Sequence, residues 1–113
     1  MAQVPKQGEE SDVITQQKTE KKLKKPKLYK VILHNDDFTT MEFVVLILQS
    51  IFHRNEADAT AIMLHIHRHG MGVAGVYTKE IAETKVSETM EAAEEAEYPL
   101  LCSMEPDDAP AEE

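Results

Sequence analysis

The chain has 113 residues and a formal net charge of −9, and hydrophobic residues make up 42% of it. That length accommodates one domain with tails, and the apolar fraction is typical of a globular protein rather than a disordered one. Most of the acidic residues follow Pro26, so a folded part that repels phosphate groups is expected and nucleic acid is excluded as its partner.

Cysteine usage and apolar runs indicate a cytoplasmic protein. Cys102 is the only cysteine, which excludes an internal disulfide and fits a small hydrophobic residue of the core. The amino-terminal stretch lacks the apolar run of a signal peptide. The longest apolar run, residues 43–48, is far too short to cross a bilayer, so we expect no membrane association.

The chain divides into an extension, a domain and a tail. Residues 1–26 hold few apolar side chains, so their ordering entropy is not offset by burial and we expect a disordered extension. The lysine-rich run 21–25 is compatible with nucleic-acid or membrane binding, but a run this short is more often a solvated linker. The folded domain is expected over residues 27–105, and residues 106–113 form an acidic, flexible tail.

The first half of the domain predicts a strand, a polar loop and a buried helix. Residues 28–33 are β-branched and apolar, and the Asn and Asp residues that follow are typical of a loop. Thr39 and Glu42 form the pattern of a capping box before an apolar run. We therefore expect a helix over residues 40–52. Since it is apolar nearly all round, we place it deep in the core.

The second half predicts a helix, a strand, a helix and a strand. Asn55 can cap the second helix and Gly70 can end it. A strand is expected over residues 71–78, a third helix over 79–97 and a short final strand over 100–104. The order strand, helix, helix, strand, helix, strand predicts an α+β fold, packed most simply as a two-layer sandwich.

Two polar clusters stand out in this order of elements. The first comprises Asn35, Asp36, Asp37 and Thr39; a turn with a helix cap explains such a string, but its acceptors also suit an ammonium group. The second is the segment 65–69, where two histidines four residues apart have a possible metal-ligand spacing. Zinc needs a third ligand and no HExxH string is present, so surface or half-buried histidines are favoured over a metal site.

Three methionines, Met41, Met63 and Met90, recur at helical core spacing and are expected to fill the core. Met41 and Met63 are also the ones that a ligand could use, since methionine adapts to irregular apolar shapes. No serine or cysteine has the pattern of a nucleophile with a histidine partner, so no catalytic residue is expected.

Four strings carry a resemblance to a known family. YKVILHNDDFTTMEFVVLIL, ATAIMLHIHRHG, GVAGVYTKEIAETKV and YPLLCSME resemble, in order and spacing, the ClpS adaptor family over about residues 27–105. The resemblance implies a three-stranded antiparallel sheet covered by three helices. It also implies a non-enzymatic, cofactor-free monomer that binds the first residue of N-end rule substrates, typically Leu, Phe, Tyr or Trp. Such adaptors deliver these substrates to the AAA+ unfoldase ClpA of the Clp protease, or to a close relative.

The resemblance also implies roles for individual residues. Asn35, Asp37 and His67 match the groups that hold the substrate α-amino group, with Asp36 supporting them. Matches to the walls of the side-chain pocket are Ile32, Thr39, Met41, Val44, Met63, Ile66 and Leu100. Glu80 and Lys85 match the unfoldase-binding face, and the amino-terminal segment matches an extension needed for delivery.

The sequence departs from the family at Thr40, which is commonly Pro, at Phe38, which is often Tyr, and at Ala74, where Cys is frequent. Two alternatives stay open on the residues alone. A metal hydrolase would use the histidines and hold zinc, and a generic acidic interaction module would bind without requiring a free amine.

Overall fold

The computed structural model of the chain describes residues 26–108. The predictions of a disordered extension and of a flexible end to the tail concern residues 1–25 and 109–113, which lie outside this range. Within it, six elements follow in the predicted order: β1 (Leu28–His34), α1 (Met41–Ser50), α2 (Glu56–His69), β2 (Met71–Thr78), α3 (Lys79–Glu95) and β3 (Leu101–Pro106).

The three strands form one antiparallel sheet with β1 in the centre, in the order β2-β1-β3. Side chains from the sheet, among them Val31, Leu33 and Cys102, enter one apolar cluster with side chains from all three helices. Burial of each large apolar side chain stabilises the fold by roughly 1.5–3 kcal/mol. The expected α+β fold, with three helices and a three-stranded antiparallel sheet, is confirmed.

A bulge interrupts the pairing of β1 with β2. Val31 pairs with Gly75 and Ile32 with Val73, so the register skips Ala74. The guanidinium of Arg54 donates two hydrogen bonds, at 3.0 and 2.7 Å, to the Ala74 carbonyl. The extra residue of a bulge is left out of the ladder, and Arg54 supplies its carbonyl with donors.

The helix ends correct one sequence prediction and match another. The cap of α1 is Thr40 rather than Thr39, because the Thr40 hydroxyl accepts the hydrogen bond from the Phe43 amide at 3.1 Å. At α2, Asn55 caps the first turn as predicted, and Gly70 ends the helix in the left-handed region at φ 92°. Only glycine adopts that conformation at no steric cost.

Helix α1 is buried on one face only, contrary to the expectation that it lies deep in the core. Val44, Ile47 and Leu48 are buried, but Leu46 is 55% exposed and Met41 is 42% exposed. A helix in a two-layer fold packs on one side, so an all-round apolar sequence leaves apolar surface facing water.

The last strand is longer than the sequence predicted. β3 runs to Pro106, and the amide of Asp107 donates a hydrogen bond to the Leu28 carbonyl at 2.9 Å. The side chains of Lys30 and Glu105, whose residues pair across the sheet, lie 3.7 Å apart. The predicted tail therefore begins inside an ordered strand, because the ladder with β1 continues past the apolar residues.

Candidate functional site

A cavity of about 370 Å³ opens where the β1–α1 loop meets the first turns of α1 and the last turns of α2. Its lining residues are Asn35, Asp36, Asp37, Phe38, Thr39, Thr40, Met41, Val44, Met63, Ile66 and His67. Below we call this the site cavity. Its size falls in the range of small-molecule pockets, about 300–1,000 Å³.

A backbone hydrogen bond joins the loop to the end of α2. The amide of Asn35 donates to the carbonyl of Gly70 at 2.9 Å, one residue beyond the last pair of the β1–β2 ladder. His67 lies in the last turn of α2, just before Gly70. The ladder and the glycine cap thus bring Asn35 and His67, which are far apart in sequence, to one cavity.

The loop is held by the side chain of Asp36. Its Oδ1 accepts hydrogen bonds from the amides of Phe38 at 2.8 Å and Thr39 at 2.7 Å, and its Oδ2 accepts the Thr39 hydroxyl at 2.6 Å. Partial burial raises the pKa of the Asp36 carboxyl, but these hydrogen bonds outweigh it and leave that pKa below its ordinary value. Asp36 therefore shapes the loop and has both oxygens occupied.

Asp37 is in a different situation from its neighbour. It is exposed at the cavity, as are Asn35 and His67, and within residues 26–108 its carboxylate accepts no hydrogen bond. Among residues 26–108, no Lys or Arg lines the cavity. The carboxyl end of α2 adds a partial negative charge beside it, which favours a cation. This end of the cavity can accept hydrogen bonds from a charged amine.

The other end of the cavity is apolar. Val44, Met63 and Ile66 are buried at its inner wall, and the half-exposed Met41 lies at its edge. Met41 begins α1, and Met63 and Ile66 lie one turn apart on the same face of α2. The cavity therefore joins a polar end that suits an amine to an apolar end that suits a hydrocarbon side chain.

Two predicted pocket residues do not line this cavity. Ile32 lies between Val31 and Leu33, whose side chains enter the core, so the alternation of a strand turns Ile32 to the opposite face of the sheet. Leu100 is buried in the core cluster just before β3. Phe38 and Thr40, which the sequence marked only as departures from the family, do line the cavity.

The two residues matched to the unfoldase face lie away from the cavity, on α3. Glu80 is exposed in the first turn of that helix. Lys85 is half-buried; its Nζ donates to the Ile51 carbonyl at 2.7 Å and lies 5.7 Å from the centre of the Tyr77 ring. Lys85 thereby links α3 to the end of α1.

Two of the three histidines near the end of α2 pack against each other. His65 and His69 stack with ring centroids 4.2 Å apart, and Nδ1 of His69 lies 3.1 Å from the carbonyl of His65. In the part of the chain that the structure describes, no three His, Cys, Asp or Glu side chains are grouped so as to hold a metal ion. The same residues include no helix long and apolar enough to cross a membrane.

A second depression adjoins the site cavity on the exposed face of α1. Its volume is about 530 Å³, and its lining residues are Met41, Glu42, Val45, Leu46, Gln49 and Met63. We call it the outer groove. The outer groove was not predicted from the sequence, because the apolar residues of α1 were all assigned to the core. A helix that is apolar all round in so small a fold was the signal that could have indicated an exposed apolar surface.

Comparison with known proteins gives one family. Residues 24–103 match the family described as ATP-dependent Clp protease adaptor protein ClpS. A Myxococcus xanthus protein named ATP-dependent Clp protease adapter protein ClpS is 54% identical over 103 residues, which cover 91% of this chain and 96% of the relative. A Phenylobacterium zucineum protein of the same name is 53% identical over 100 residues, which cover 88% of this chain and 90% of the relative.

A solved structure shares the fold. Agrobacterium tumefaciens ClpS2, determined bound to L-phenylalaninamide, superposes with a TM-score of 0.70 at 43% identity. The alignment covers 73% of this chain and 99% of that one. The similarity therefore extends over the whole of the compared domain.

Proposed function

The chain belongs to the ClpS family of ATP-dependent Clp protease adaptor proteins, and from this premise we propose that its site cavity binds the first residue of a polypeptide. As a member of that family it is an adaptor of the Clp protease and not a catalytic enzyme. The proposed ligand is a free α-amino group carried by a residue with a bulky apolar side chain, such as Leu, Phe, Tyr or Trp.

The observation that carries the proposal is the joining of polar and apolar ends in one cavity. An α-amino group has a pKa of about 7.7–8.0 and is mostly cationic at neutral pH. Asp37 supplies the charge, and the Asn35 amide and the His67 imidazole supply further acceptors. The ligand that the related Agrobacterium protein holds, L-phenylalaninamide, combines a free amine with a bulky apolar side chain.

The apolar end of the cavity accounts for selection of the side chain. Transfer of a Leu or Phe side chain from water to the wall formed by Met41, Val44 and Met63 is worth roughly 1.5–3 kcal/mol. Neither burial of the side chain nor the charge-assisted hydrogen bonds to the amine must supply the whole binding free energy. The amine and the side chain are therefore recognised together.

The test compares a labelled peptide that begins with Leu and its acetylated twin, with binding followed by fluorescence anisotropy. Acetylation, Asp37→Asn and His67→Ala are each expected to weaken binding by roughly tenfold or more, since each removes a charge-assisted bond. Glu88→Gln serves as the matched control, because Glu88 is an exposed carboxylate on α3 outside the cavity. Equal binding of the two peptides to the wild type would refute the proposal.

The adaptor role requires a second interaction, which we propose is made with a ClpA-type AAA+ unfoldase. Glu80 and Lys85 lie on α3, away from the site cavity, so both partners can bind at once. Glu80→Ala is expected to slow ATP-dependent degradation of a reporter that begins with Leu while leaving peptide affinity unchanged. Loss of peptide affinity in that variant would mean that the two surfaces are not separate.

Deletion of residues 2–20 tests the role expected for the amino-terminal segment. The shortened chain should bind the peptide with unchanged affinity but fail to accelerate reporter degradation. Replacement of the deleted residues by a Gly and Ser segment should restore delivery in part, because such linkers are flexible. Delivery by the shortened chain at the full rate would contradict this role.

A further inference from the structure

The outer groove shares a wall with the site cavity. Met41 and Met63 line both, so these two side chains form the partition between them. Beyond the partition, the groove continues along α1 between the exposed side chains of Leu46 and Gln49. A ligand that crosses this partition passes directly from one depression into the other.

The groove has the surface chemistry of a binding site for hydrocarbon groups. Four of its six lining residues are apolar, and Leu46 is 55% exposed. A single exposed leucine needs no explanation, but contiguous exposed apolar side chains in a concave surface beside a polar site mark an interaction surface. Nothing in the recognition of a first residue uses Val45, Leu46 or Gln49.

We propose that the outer groove binds an apolar side chain at position 2, 3 or 4 of the polypeptide whose first residue occupies the site cavity. This inference rests on the function proposed above, because the first residue fixes where the chain begins. The groove thus makes the adaptor select a short segment rather than one residue.

The dimensions agree with this occupant. From Met41 to Gln49 the helix rises by about 12 Å at roughly 1.5 Å per residue. An extended polypeptide advances about 3.3 Å per residue, so three to four residues span the same length. A chain held at the Met41 end by its first residue therefore brings one of its next three side chains over Leu46.

The experiment uses the full-length chain and unlabelled peptides that displace a labelled Leu-initiated probe. Each peptide begins with Leu and continues with Ser, and a second Leu replaces Ser at position 2, 3 or 4. The reference, called the all-Ser peptide, has Leu at position 1 and Ser at every later position. Leu at position 2, 3 or 4 is expected to improve affinity over this reference by roughly three- to tenfold at one of the three positions, as partial burial of a leucine predicts. Leu46→Gln should abolish that gain and leave the affinity for the all-Ser peptide unchanged.

Leu101→Gln is the matched control, because Leu101 is 50% exposed and lies in β3 outside the groove. It should retain the whole gain, and both variants should melt within a few degrees of the wild type. The inference is overturned if no position improves affinity or if the gain survives Leu46→Gln. It is also overturned if Leu46→Gln weakens only unfoldase binding or self-association. Failure of the proposed function gives a different result from failure of this inference, because the all-Ser peptide would then bind no better than its acetylated form.

Discussion

Thr39 donates two hydrogen bonds to Asp36, one from its hydroxyl to Oδ2 at 2.6 Å and one from its amide to Oδ1 at 2.7 Å. The pair closes the β1–α1 loop on itself and leaves the carboxylate of the adjacent Asp37 free to meet a ligand. The first polar cluster of the sequence is thus both a structured turn and a candidate site, with the two roles divided between neighbouring aspartates.

Replacement of Asp36 by Asn should loosen this loop. An amide has one acceptor oxygen and no charge, so it cannot serve all three donors, and we expect a loss of about 1 kcal/mol in the free energy of unfolding. Because the folded-state pKa of Asp36 lies below its ordinary value of 3.8, its contribution to stability is complete above that value and is lost as pH falls through the folded-state pKa. Urea titrations of both proteins from pH 7 to pH 2.5 measure this, and a difference independent of pH would contradict it.

Met41 should discriminate against β-branched first residues. Ile and Val carry an extra carbon on Cβ, which would crowd the wall of the site cavity that Met41 forms. Peptides that begin with Ile should bind at least roughly tenfold more weakly than those that begin with Leu, and Met41→Ala should narrow the ratio. Isothermal titration with the two peptides measures the ratio; equal affinities for the wild type would contradict the assignment.

Gly72→Ala should affect the site through Ile66. A Cβ atom at Gly72 would lie 2.8 Å from Cγ1 of Ile66, a distance that forces the isoleucine to move. Since Ile66 lines the site cavity, we expect peptide affinity to fall several-fold, with a stability loss of roughly 1–3 kcal/mol from overpacking. A double-mutant cycle with Ile66→Ala should be strongly non-additive, and additive effects would show that the two positions are not coupled.

Thr89→Val should stabilise the protein. Thr89 is fully buried in α3, and its hydroxyl has no hydrogen-bond partner among the described residues. A buried hydroxyl without a partner costs roughly 1–3 kcal/mol, whereas Val has nearly the same shape. We expect a gain of about 1 kcal/mol in thermal or urea unfolding. Thr84→Val on the same helix, where the hydroxyl is exposed and donates to the Glu80 carbonyl at 3.2 Å, should give no gain.

Cys102 should be inert in the folded protein. Burial raises the pKa of its thiol to about 11. At pH 8 about one molecule in a thousand would then carry the thiolate, which is the reactive form. A thiol reagent should modify Cys102 only in denaturant, and rapid labelling of the native protein would contradict this. Because the pKa is raised on folding, stability should fall as pH rises from 9 towards 11.

The sequence predicted those parts of the fold that depend on local signals. Asn55 and Gly70 marked the ends of α2, and the apolar runs marked all three strands. The sequence rule for helix caps could not distinguish Thr39 from Thr40 at the start of α1, because either hydroxyl could accept a hydrogen bond from the amide three residues later. In the structure the Thr39 hydroxyl donates to Asp36 instead, and Thr40 is the cap. Ile32, which the resemblance matched to the pocket wall, does not line the site cavity, because the alternation of β1 directs its side chain to the other face of the sheet.

The candidate site was predictable in its polar half and less so in its apolar half. Asn35 and His67 meet because a ladder hydrogen bond ends at Gly70, a contact between distant residues that periodicity does not reveal. The resemblance supplied that pairing. The exposed face of α1 was not predicted, because the pattern of apolar residues in a helix does not show how many of its faces are covered by other elements.

The hydrogen bond from the Asp107 amide to the Leu28 carbonyl places the beginning and the end of the described domain at one corner of the sheet. The site cavity opens at the other end of β1, seven residues away, which at about 3.3 Å per residue is roughly 20 Å. A fluorophore or surface tether attached at either end of the domain therefore starts well clear of the bound peptide. The same proximity makes the domain a candidate for circular permutation, with a short linker joining the corner and new ends opened elsewhere on its surface.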